Sequence, residues 1–162
     1  GTTNPSDYKY NKDVFTLAVK CASDFITKHE NENTDERRAQ VAFLQYLLFQ
    51  VKNVSPTHYI SSNQLVAVIR EYLNHRITKN FLFRRVIAPL RDDGIIIASC
   101  SHGYKIPVSV EDITTYLNQT HTIVSPMLHR VEVCRKLVLE NTHGKFDILD
   151  DPAFIRYKKY FD

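Results

Sequence analysis

The chain has 162 residues, 43% of them apolar, 24% charged and a formal net charge of +3, enough for one domain with appendages or two small ones around a real core. The longest apolar runs, such as "IIIA" at 95–98, are far short of the roughly 18 residues that span a bilayer, and no charged-then-apolar leader opens the chain, so a cytoplasmic protein with no membrane partner is expected. Cys21, Cys100 and Cys134 are widely separated with no CxxC pair, which points to packing residues and to neither a disulfide framework nor a zinc site.

The opening "GTTNPSDYKYN" starts on a glycine, and the only methionine is Met127, which suggests a piece cut from a longer protein. Residues 12–29 then carry Val14, Leu17, Ala18, Cys21, Phe25 and Ile26 near one helical face. Thr34 is an N-cap candidate, with Asp35 and Glu36 placed where the helix dipole favours negative charge. The helix that follows, "AQVAFLQYLLFQVKN", is strongly apolar and ends before Ser55-Pro56.

"HYI" reads as a short strand, and Ser61 or Ser62 caps a third helix with Leu65, Val66, Ile69, Tyr72 and Leu73 at helical spacing. After the turn "HRI", Thr78 caps a fourth helix over 78–93, with Phe83, Val86, Ile87 and Leu90 as the inward stripe and Gly94 at its C-terminal cap. Pro89 removes a backbone donor near the end of that helix and is expected to bend its last turn. Ile95–Ser101 and Tyr104–Ile106 are strand candidates around a two-residue His102-Gly103 turn. Ser109 opens a capping-box-like start to a long apolar pattern in which Pro126 either kinks one helix or begins a second, and Gly144 ends it. "DPAFIRYKKYFD" reads as a further helix start with a docking aromatic tail.

The order helix, short strand, helix, turn, helix, strand, turn, strand is that of a winged helix-turn-helix. "ISSNQLVAVIREYLNHRITKNFLFRRVIAPLRDDGIIIASCSHGYKIP" resembles a winged-helix DNA-binding domain, with Leu90 and Ile87 four and seven residues ahead of the glycine that leads into the wing. "SCSHGYKIPVSVEDITTYL" is similar to the wing and following helix of small winged-helix proteins of phage and restriction-type regulatory systems. The expected fold is therefore mostly α (α+β): an N-terminal tail and helix over 1–33, a winged-helix domain with a small β-hairpin wing over 34–108, and a C-terminal helical extension over 109–162.

Between Arg76 and Arg91 the chain holds Arg76, Lys79, Arg84, Arg85 and Arg91 and no acidic residue, a local field hidden by the overall charge. Lys79, Asn80, Arg84 and Arg85 fall off the apolar stripe in the half of the helix that meets base edges, where Arg pairs with guanine and Asn with adenine. Ser62, Arg76, Ser101, His102 and Lys105 are the candidates for phosphate contact. The expected partner is double-stranded DNA, with a homodimer through the 109–142 helices or intramolecular packing of 109–142 on 12–29 as the two ways to cover the long apolar stripe.

No catalytic residue, cofactor site or metal site is expected. The seven histidines form no HxxxH or HExxH pair, and Asp147, Asp150 and Asp151 fit a helix start better than a cation site. The competing readings are a protein–protein interaction module and a non-catalytic accessory domain of a larger nuclease.

Overall fold

The computed structural model describes residues 9–162; the opening glycine and most of the expected N-terminal tail lie outside the described residues. The chain divides into two compact units, one ending at Leu117 and the other Asn118–Asp162.

The first unit is built on α2 (Asp35–Asn53). Its side chains Ala39, Val41, Ala42, Phe43, Leu44, Leu47, Leu48 and Val51 are all buried, and a helix apolar on so many sides must be covered from several directions. α1 (Lys12–His29) lies on it through Ala18, Ala22 and Phe25. α3 (Ser62–Leu73) and the helical segment 79–92 cover it elsewhere. Full burial of a side chain such as Phe43 or Leu44 stabilises by about 1.5–3 kcal/mol.

The caps fall where side-chain oxygens occur in the sequence. Thr34 accepts from the Arg37 amide, Ser61 from Gln64 and Thr78 from Phe81, so Ser61 rather than Ser62 caps α3. α3 ends on Asn74 in the left-handed conformation, φ 59°, which Asn tolerates better than most residues.

The segment 79–92 is not one regular helix. It comprises α4 (Lys79–Phe81), a π-helical stretch (Leu82–Ile87) and α5 (Ala88–Asp92). Pro89 explains the irregularity: it has no N–H to give the carbonyl four residues back, that of Arg85, and its ring crowds that oxygen. The turn opens by one residue, with the Ala88 amide reaching Phe83 O. The stranded Arg85 carbonyl accepts instead from Nε2 of buried Gln40 at 2.9 Å, and Gln40 Oε1 is held by Arg37 at 3.0 Å.

The widened turn corrects the expected inward stripe. In a turn with i→i+5 bonding the residue beneath Ile87 is Leu82, not Phe83. Leu82, Val86, Ile87 and Leu90 are each at most 1% exposed, while Phe83 is 51% exposed.

β1 (Ala98–Cys100) and β2 (Gly103–Lys105) form an antiparallel hairpin in the register Ala98 with Lys105, Ser99 with Tyr104 and Cys100 with Gly103. The two-residue loop is thus Ser101-His102, one residue earlier than the expected His102-Gly103. Gly103 belongs to the strand because the backbone at Ile60 comes against it: a Cβ there would lie 2.0 Å from Ile60 O. Ile60 and Tyr104 exchange both backbone hydrogen bonds, at 2.8 and 2.9 Å, so the expected "HYI" strand is present as a single bridge.

In the second unit, α6 (Val110–Asn141), which begins in the first, runs through Pro126 without a break. Arg135 joins Asp147, 2.9 Å from Nη2, to Asp162, 2.9 Å from Nη1. Asp147 also accepts from the Leu149 amide, which opens a 3-10 turn, Ile148–Asp150, and the aromatic tail forms a second, Ile155–Tyr160. Cys134 is exposed, against the expectation that all three cysteines are packing residues. Ile123, Met127, Val133 and Leu137 are exposed as well. Among the described residues no helix is long and apolar enough to cross a membrane.

Candidate nucleic-acid interface

Thr78 fixes where the segment 79–92 begins, its Oγ1 accepting from Phe81 N at 3.0 Å. Lys79 and Asn80 are exposed in the first turn, followed by exposed Phe83, Arg84 and Arg85. The opposite side of the same segment is sealed into the core by Leu82, Val86, Ile87 and Leu90. The result is a firmly seated helical edge with three cations, Lys79, Arg84 and Arg85, and the Asn80 amide on its outward side, a set of side-chain hydrogen-bond donors.

The other candidate residues divide into three groups. Arg76 is exposed in the turn before this segment and, with Ala67, Arg70, Glu71, Asn74 and His75, lines a shallow cleft of about 500 Å³. Ser101 and His102 are exposed at the tip of the hairpin. Ser62 is half-buried at the start of α3.

Lys105 does not belong with them. It is 2% exposed, and its Nζ donates to Asp112 Oδ2 at 2.6 Å. The same carboxylate accepts from the Val108 amide at 3.0 Å and from the Tyr59 hydroxyl at 3.2 Å. Asp112 is itself held in α6's first turn, its amide donating to the Ser109 hydroxyl at 3.0 Å. A strand alternating Tyr104, Lys105, Ile106 suggests an outward lysine, but the first turn of α6 brings a carboxylate to the inner side. Burial pushes the Lys105 ammonium below its usual pKa, against the hydrogen bond to Asp112, which raises it.

Two arginines of the expected basic field are also committed within the protein. Arg91 donates to Ile97 O at 2.7 Å and to Ser99 Oγ at 3.1 Å, and its guanidinium lies 3.8 Å from the centroid of the Tyr116 ring. Burial lowers its pKa. It ties α5 to the strand that follows and to α6. Arg85 stays exposed but pairs with Glu36 at 3.3 Å, an exposed contact worth at most about 1 kcal/mol. Arg76, Lys79 and Arg84 form no ion pair among the described residues.

Two features of the site were not anticipated. Phe83 joins Asn80 and Arg84 on the outward side, a consequence of Pro89 and the π-helical turn. Acidic side chains at the start of α2 border the region, with Glu36 on Arg85 and Asp35 on His75 at 3.0 Å. No cluster of His, Cys, Asp or Glu able to hold a metal ion occurs among the described residues. Comparison with protein-family models, with curated proteins and with solved structures finds no match.

Proposed function

We propose that residues 34–108 form a winged helix-turn-helix module that binds double-stranded DNA, with the segment 79–92 in the major groove and the Ser101-His102 tip on the adjacent backbone. The module serves as a transcription regulator or as the DNA-recognition part of a larger protein of phage-related or defence type. The observation that carries this reading is the division of 79–92 into a sealed apolar side and an outward side bearing Lys79, Asn80 and Arg84. The order of α2, the Ile60 bridge, α3, the turn, the helical segment and the hairpin supports it. So does the pair of backbone hydrogen bonds that hooks the hairpin to the entrance of α3. In this scheme Lys79, Asn80, Arg84 and Arg85 face bases, while Ser62, Arg76, Ser101 and His102 face phosphates; Lys105 drops out.

The test is a salt titration of binding to a random-sequence duplex. Log K falls linearly with log salt, with a slope of about −0.9 per phosphate neutralised. Arg84→Ala combined with Arg85→Ala weakens binding; unchanged affinity would overturn the placement of the reading helix. A protein partner is the second reading, favoured by the acidic border of Asp35 and Glu36 beside the same helix. It predicts no salt-dependent DNA affinity.

A further inference from the structure

Phe83 is the outlier on the outward side of the helical segment. It is 51% exposed and stands among polar side chains; elsewhere in the unit Phe49 is likewise exposed at 55%, while Phe25 and Phe43 are 7% and 0% exposed. Its outward position follows from the π-helical turn, which places Leu82, 1% exposed, on the core side in its stead. Phe83 and Arg84 stand three and four residues after Asn80, so both neighbour it on the exposed side of the segment.

Resting on the reading of 79–92 as the groove-facing helix, we propose that Phe83 is a specificity-determining residue that contacts the C5-methyl group of a thymine beside the bases read by Asn80 and Arg84. A phenyl ring has no hydrogen-bonding group, and among unmodified bases the one apolar group exposed in the major groove is the thymine methyl. Asn80 is suited to adenine and Arg84 to guanine, and the ring between them adds a third base identity that neither can read.

The experiment is a selection of binding sites from a random duplex library with the wild-type chain, followed by replacement of each thymine in the selected site by uracil, which removes only the methyl. Replacement at one position weakens wild-type binding about fourfold, the worth of one methyl group taken out of water. Phe83→Ala loses the distinction between thymine and uracil at that position, and Phe83→Leu, still apolar, keeps it. Wild-type affinity unchanged by uracil at every position would overturn the inference, as would a Phe83→Ala chain with undiminished sensitivity. If DNA is bound with the expected salt slope and sensitivity to Arg84→Ala but without a uracil effect, the Phe83 assignment alone falls. If the wild-type chain shows no salt-dependent affinity for the library at all, the DNA reading falls and takes this one with it.

Discussion

Replacing Asp112 by Ala strips the buried Lys105 ammonium of its carboxylate, 2.6 Å away, and removes the acceptor used by the Val108 amide and the Tyr59 hydroxyl. Lys105 is 2% exposed, so water does not readily take the carboxylate's place. Breaking one side of such a pair costs about 3–5 kcal/mol, most of it the penalty of a buried charge left behind. With m near 1–3 kcal/mol/M, the urea midpoint of the full chain should fall by roughly 1–2 M or more. Lys105→Met in the Asp112→Ala background removes the stranded charge and should recover most of the loss, giving a coupling energy of about 2–3 kcal/mol in the double-mutant cycle. The pH dependence has a definite sign. Burial sets the folded-state pKa of Lys105 below its ordinary 10.5, so between those two values the unfolded chain holds more protons and this group's contribution makes stability rise with pH. Lys105→Met should lack that rise. A loss under about 1 kcal/mol in Asp112→Ala, with no recovery in the double variant, would refute the assignment of this pair as a buried anchor.

Four further outcomes test the remaining reasoning. Gln40→Leu leaves the Arg85 carbonyl without its 2.9 Å donor and should cost about 1–3 kcal/mol in chemical denaturation; adding Pro89→Ala restores a backbone N–H for that carbonyl and should offset much of the cost. Gly103→Ala puts a Cβ 2.0 Å from Ile60 O at φ 143° and should destabilise by at least about 2 kcal/mol, with amide exchange at Tyr104 accelerated as the Ile60 bridge opens. Glu36→Gln releases Arg85 and, on the DNA reading in which Arg85 faces bases, should tighten binding to the selected site by about two- to fivefold in a direct titration, a gain lost in the Arg85→Ala background. In the second unit the Arg135 hydrogen bond, helped by the Leu149 amide, lowers the Asp147 pKa from 3.8. Its stabilisation is therefore present above that value and lost as pH falls through the lower folded-state pKa, and Arg135→Ala should flatten an acid-unfolding curve there.

Much of the helical framework is readable without coordinates, because local chemistry decides it. Thr34, Ser61, Thr78 and Ser109 each cap the next amide run from their own side chains, and α1 spans residues 12–29 as its apolar spacing predicts. The failures lie where a distant partner decides. Lys105 is buried with the Tyr59 hydroxyl and the Val108 amide against the Asp112 carboxylate, seven residues on, which strand alternation cannot foresee. Phe83 and Leu82 exchange roles because Pro89 changes the helix period and Gln40, 45 residues from Arg85, makes the change tolerable. Arg91 looks like part of a basic surface and is spent on Ile97, Ser99 and Tyr116. In each case the residue type is legible and its direction is not.

The close approach of Gly103 to Ile60 has a mechanical consequence. The hairpin cannot swing as a free arm, since the strand behind its tip is pinned to the residue just before the Ser61 cap by two backbone hydrogen bonds and a contact with no room for a methyl group. Tip and α3 entrance therefore travel as one body. Any ligand that engages Ser101 and His102 meets a fixed ruler; on the proposed DNA reading, a duplex whose backbone does not match its graduation would be the partner that has to bend.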